Sequence, residues 1–219
     1  MTLVAGSQKV MSVGYLGATT SSGVKAGTLT LTLNSLGQAG TGLAPVALAN
    51  QTVAVTGTVY RAGSGTLLSN GAVLSGLGAL DLGNIRVGGT FASVSLGVLA
   101  AGTLNAAYTE GLNALISGTA GYAKGSGGVS LLAAGGTSAS AFVLGFGSEP
   151  FLGTGVKTGT VAVTFQTDGQ GTSGLSAENV GSRVLSLTGS VFRLAGASLS
   201  AATLNLGTIR AGGVFPEAL

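Results

Sequence analysis

Thr28-Leu29-Thr30-Leu31-Thr32-Leu33 alternates without a break between hydroxyl and apolar side chains. A period of two puts successive side chains on opposite faces of an extended chain, so this stretch reads as a β-strand with one buried face and one hydroxyl-covered face. Thr52-Val53-Ala54-Val55-Thr56, Val161-Ala162-Val163-Thr164-Phe165 and Val184-Leu185-Ser186-Leu187-Thr188 alternate nearly as well. Helical spacing is weak except over 106–116, where Tyr108, Leu112 and Leu115 fit one face of a short helix. Glycine fills 41 of the 219 positions, and its cost in helix interiors disfavours long helices elsewhere. The expected fold class is all-β.

The chain also repeats itself. At a shift of 132 residues, Gly23-Val24-Lys25-Ala26-Gly27-Thr28 matches Gly155-Val156-Lys157-Thr158-Gly159-Thr160, and Gly57-Thr58-Val59-Tyr60-Arg61 matches Gly189-Ser190-Val191-Phe192-Arg193. At a shift of 124, Asp81-Leu82-Gly83-Asn84-Ile85-Arg86-Val87-Gly88-Gly89-Thr90-Phe91 matches Asn205-Leu206-Gly207-Thr208-Ile209-Arg210-Ala211-Gly212-Gly213-Val214-Phe215. Such a unit is far longer than solenoid repeats of roughly 20 to 50 residues and close to a whole sandwich domain. The expected organisation is a rear half of a β-sandwich over 1–61 and a Gly/Ser-rich connector over 62–77. A complete antiparallel sandwich then spans 78–194, and 195–219 holds a connector and the opening strands of a next unit.

Leu80-Asp81-Leu82-Gly83-Asn84-Ile85-Arg86-Val87-Gly88 resembles the opening of the Ig-like domains of abnormal-spindle and hydin-type proteins. It is also similar to repeats of the bacterial surface proteins called choice-of-anchor proteins. The resemblance implies tandem Ig-like sandwiches of seven to nine strands and a place in surface or secreted assemblies. Where those families usually close the second strand with an Asn-Thr-Gly turn, this chain continues Ser95-Leu96-Gly97-Val98-Leu99. The resemblance carries no catalytic residue.

Composition narrows the chemistry. With no cysteine and no histidine, disulfides, Cys/His zinc sites and histidine acid–base catalysis are all absent. Only 7% of residues are charged, against about 25% in an ordinary soluble domain, so Ser, Thr, Asn and Gln must supply solubility. The net charge of +3 comes from basic residues scattered between Lys9 and Arg210, which disfavours a nucleic-acid partner, since that needs a concentrated basic face. The six acids, Asp81, Glu110, Glu149, Asp168, Glu178 and Glu217, stand too far apart in sequence for a calcium loop. Glu149 with Asp168 remains open as a convergent carboxylate pair of glycosidase type. Asp168-Gly169 reads as a turn in which the glycine supplies positive φ. Gly88-Gly89 and Gly125-Ser126-Gly127-Gly128 read as bends or bulges. The equivalent aromatics Tyr60/Phe192 and Phe91/Phe215 read as core residues.

Met1-Thr2-Leu3-Val4-Ala5-Gly6 has no basic, then apolar, signal-peptide pattern, which leaves a removed leader or an internal segment as the expectation. Mean hydropathy is +0.60, yet Gly, Thr, Ser and Asn interrupt every apolar run, so no membrane-spanning helix is expected. No catalytic, cofactor or metal residue, no cofactor and no small-molecule substrate is expected. The reading is a bacterial extracellular or cell-surface structural subunit whose partner is itself. Its units assemble end to end, with Leu204, Leu206, Ile209, Val214, Phe215 and Leu219 as a strand that completes a neighbour. An excerpt of a long adhesin or stalk is the second reading. An outer-membrane β-barrel is the third, weakened by a Thr/Ser-rich second strand face.

Overall fold

The computed structural model describes residues 7–37, 41–75, 79–102, 105–199, 203–215 and 217. The first part of the chain forms β1 (Gly23–Leu31), β2 (Asn34–Ser35), β3 (Val46–Ala47), β4 (Gln51–Val59), β5 (Ser64–Ser69) and β6 (Ala72–Val73). Next come β7 (Ala79–Arg86), β8 (Val94–Ala101), a single 3-10 turn at Ala106–Tyr108, β9 (Gly111–Gly121) and β10 (Lys124–Leu132). The series ends with β11 (Thr137–Gly145), β12 (Gly155–Asp168) and β13 (Glu178–Phe192). The fold is all-β, as the alternation predicts.

Nine strands make one sheet in the order β6-β5-β8-β11-β10-β9-β12-β13-β7, while β1 with β4 and β2 with β3 form separate two-stranded ribbons. The large sheet turns over at β10, which pairs with β11 through Lys124–Gly127 and with β9 through Gly128–Leu132. Gly127 sits at the change of partner with φ +103, and a Cβ there would collide with the Ala141 carbonyl oxygen. Only glycine tolerates both the left-handed backbone and that approach, so the 125–128 cluster is the expected bend.

Curling brings β5 and β8 against β9 and β12. Leu67, Leu96, Val98, Phe142 and Leu144 from one half meet Leu112, Val161, Val163, Leu185 and Leu187 from the other in one dry core. Each such side chain contributes about 1.5–3 kcal/mol on burial. At one end of the core, Phe91 packs edge-on against Phe146 and Phe151, with ring centroids 5.2 Å apart in both pairs. That geometry sets positive ring edges against negative ring faces.

The sequence repeat is a repeat of strand register. Gly23 stands opposite Val59 in β1–β4, and Gly155 opposite Val191 in β12–β13; Leu31 opposite Gln51 corresponds to Val163 opposite Arg183. The two hairpins are one structure drawn twice, but their surroundings differ. β12 is flanked by β9, and β13 by β7. Among the described residues neither β1 nor β4 has a second neighbour.

Several expectations need correction. The 62–77 connector supplies β5, which pairs with β8 and buries Leu67 in the core, because period two turns that side chain onto the inner face of the curled sheet. The helix over 106–116 is reduced to the 3-10 turn. From Gly111 onward the burial of Leu112 and Ala114 follows period two, and β9 is held between β10 and β12. The large sheet, expected to be antiparallel throughout, contains one parallel pair, β13 with β7. Phe192 is exposed, since its side chain points away from the face that carries Leu187 and Val191. Tyr60 is half-buried against Tyr108. After β12, positive φ falls on Gly171 and Gly174, while Gly169 is needed for the close approach of Ser173 and Leu175.

Paired truncations at twin positions test the contrast between the hairpins. Leu185 is fully buried and its twin Val53 is 47% exposed. Leu185→Ala is expected to cost about 2–5 kcal/mol, and Val53→Ala no more than about 0.5 kcal/mol, both read from urea denaturation midpoints.

Candidate strand-acceptor edge

The polar chemistry of the chain is mostly structural. Glu110 is buried, accepting hydrogen bonds from the Thr167 hydroxyl at 2.7 Å and from the Ser173 hydroxyl, while Thr167 Oγ1 accepts the Gly63 N–H at 2.8 Å. This network ties the loop after β12 to the start of β5, and among the described residues no buried side-chain donor or acceptor is left unmet. Asp168 is likewise committed, its Oδ2 accepting from Asn113 Nδ2 at 2.8 Å and its Oδ1 from the Gln170 N–H at 2.9 Å. Glu149 lies before the start of β12 and Asp168 at its end. A strand of 14 residues spans roughly 40 Å, so the two carboxylates do not converge as a glycosidase pair requires. Among the described residues no three acids come together as metal ligands.

The parallel β7–β13 ladder is the most informative arrangement. Leu80 stands opposite Leu187 and Ile85 opposite Val191, apolar against apolar on the core side. Between Asp81 opposite Thr188 and Asn84 opposite Ser190, β7 carries one extra residue. Gly83, with φ +80, absorbs it, and its N–H donates to Asp81 Oδ1 at 2.9 Å. Past the strand the chain turns at Gly88 (φ +86), the Gly89 N–H donates to the Arg86 carbonyl, and Phe91 returns over β13. There it covers Gly189: a Cβ on Gly189 would collide with the Phe91 ring.

Thr203–Phe215 is the twin of this segment and pairs with no strand among the described residues. Its local conformation is nonetheless the same. Gly207 has φ +81 and donates to Asn205 Oδ1 at 2.9 Å; Gly212 has φ +88, and the Gly213 N–H donates to the Arg210 carbonyl at 2.9 Å. Leu204, Leu206, Ile209, Val214 and Phe215 are all exposed; Leu219 lies outside the described residues. Phe215, read as core from its equivalence to Phe91, is 48% exposed because no strand lies beneath it.

β4 is the twin of β13, the strand with which β7 pairs. In the β12–β13 hairpin the outer edge carries β7; along Gln51–Val59 it is bare among the described residues, up to Arg61, which forms a parallel bridge with Thr109. The alternation over Thr52–Thr56 predicts this strand but not that one of its edges is unpaired. A glycine at the centre of an alternating strand, in the same place in both copies, was the available signal. Gly57 has nothing within 4 Å of the position its Cβ would take, whereas its twin Gly189 lies under Phe91.

No protein-family model matches the chain. No curated protein does either. Among solved structures, the N-terminal domain of PorA is similar with a TM-score of 0.33 and 10% identity, over 58% of this chain and 97% of that one. At those values the likeness is remote.

A two-stranded ribbon is marginal on its own in water. In the monomer, the β1–β4 amides are therefore expected to exchange with solvent faster than those of β12–β13, by roughly two orders of magnitude or more. Residue-resolved hydrogen exchange measures this; equal protection of the two hairpins would contradict the account of β1–β4 as uncovered.

Proposed function

We propose that this chain is a structural subunit of a bacterial extracellular fibre or surface layer. It is built from tandem Ig-like sandwich units that join end to end with copies of itself, with no enzymatic role. One observation carries the reading: the same hairpin occurs twice with the same register, and among the described residues only β12–β13 has a further strand, β7, along its last strand. The bare hairpin keeps its row of unpaired amides and carbonyls, and the unpaired tail retains the bulge and turn of the missing strand. An unpaired edge of this kind recruits another strand.

The low charge supports the same reading, since few surface charges oppose lateral contact between strand edges, and such filaments would bundle. The hydroxyl-covered faces and lack of thiols suit an exposed location. Continuation of the repeat in phase within a longer stalk or adhesin is the second reading, favoured by the close agreement of the 132- and 124-residue shifts. The flanking gene sequence separates the two. A barrel in the outer membrane has less support. The large sheet is open at β6 and β7 among the described residues, and its most apolar face, with Leu96, Phe142, Leu112 and Leu187, is buried in a core. Among those residues no helix is long and apolar enough to cross a membrane.

Negative-stain images of purified protein are expected to show filaments with an axial repeat on the domain scale. Deleting 204–219 is expected to lower the sedimenting fraction at least tenfold while leaving the β-sheet circular dichroism intact. Filaments forming normally without the tail would overturn assembly by strand complementation.

A further inference from the structure

The β4 edge has a specific occupant written into its own sequence. Resting on the end-to-end reading above, we propose that Thr203–Ile209 of a second copy adds to β4 as a parallel strand in one fixed register, and that Phe215 of that copy seats on Gly57. The template is the β7–β13 ladder. Moving β13 back by 132 residues and β7 forward by 124 converts its pairs into Ala54 opposite Thr203, Val55 opposite Leu204, Thr56 opposite Asn205, Thr58 opposite Thr208 and Val59 opposite Ile209.

Each pair preserves the chemistry of the original. Leu187–Leu80 becomes Val55–Leu204 and Val191–Ile85 becomes Val59–Ile209, both apolar and both on the side that faces the core in the complete unit. Thr188–Asp81 becomes Thr56–Asn205, keeping the side-chain oxygen that accepts the bulge glycine's N–H. The bulge is already made in the free tail, with φ +81 at Gly207 against +80 at Gly83, so binding orders little additional backbone there.

Gly57 supplies a second, separate observation. Neither left-handed backbone nor local crowding requires glycine at this position: its φ is not positive, and its Cβ site opens onto empty space. A glycine in a strand interior costs stability and marks a place where something approaches closely. At the twin position that something is the ring of Phe91, and the twin of Phe91 is the half-exposed Phe215. The vacancy over Gly57 and the unseated ring are two halves of one contact, and a second copy supplies the ring.

The chain has no cysteine, so an introduced thiol is unique. Thr58→Cys protein mixed with Thr208→Cys protein and oxidised is expected to give a covalent heterodimer. Thr58→Cys mixed with Ile209→Cys, one residue out of register and therefore on the opposite sheet face, is expected to give at least tenfold less. Adding Gly57→Leu to the Thr58→Cys partner is expected to leave its melting temperature unchanged, because the site is open, and to cut the cross-linked yield at least tenfold. Yields no higher than the out-of-register control, or unaffected by Gly57→Leu, would overturn the proposed contact. If wild-type filaments form while the matched pair fails to cross-link, the register falls and the fibre reading stands. If the wild-type chain stays monomeric at high concentration, both fall.

Discussion

The parallel pairing of β7 with β13 is the contact on which the rest depends. It brings Ala79–Arg86 beside Glu178–Phe192, so Leu80 reaches Leu187 and Phe91 is carried back over Gly189. With that edge closed, β12 and β13 present Val161, Val163, Leu185 and Leu187 to a sealed core. Without it, the same hairpin becomes β1–β4, with identical register, no second neighbour among the described residues, and apolar side chains left exposed. Two copies of one sequence pattern in one chain thus act as their own control: local preference builds the hairpin, and a sequence-distant strand decides whether it is covered.

What was readable in the sequence follows from that division. Alternation is local, so the strands and the all-β class were legible, and so was the repeat, since twin residues can be matched by eye. Even the Asx turn at Asp81–Gly83 and its copy at Asn205–Gly207 follows from neighbours two residues apart. The role of 62–77 was not legible. Its Gly/Ser content signals a linker, and only the three-dimensional sheet shows that Leu67 fills its edge. The brief helical spacing of Tyr108, Leu112 and Leu115 failed for a related reason, because flanking strands on both sides fix Gly111–Gly121 as extended.

The proposed edge divides in the same way. Leu204, Leu206, Ile209, Val214 and Phe215 announce themselves as apolar residues with no strand to complete. The surface proposed to receive them does not, because it consists of backbone groups and the absence of a side chain at Gly57. Missing atoms have no sequence motif of their own; they become visible only when a twin shows what fills the gap. The acids behave oppositely. Glu110 and Asp168 look chemically promising in a list of residues, and their hydrogen bonds to Thr167, Ser173, Asn113 and Gln170 show them holding loops.

The parallel sense of the β7–β13 ladder also has a mechanical meaning. In an array built on that ladder, the donor segment hangs from its body by its N-terminal side, while β4 continues into its body through Arg61 at its C-terminal side. Tension along the array would therefore pull two parallel strands from opposite ends and load their hydrogen bonds in shear, all at once, rather than peeling them one by one. A junction of that geometry yields at a rate set by its barrier to sliding, so resistance to sudden force can far exceed what its equilibrium affinity implies.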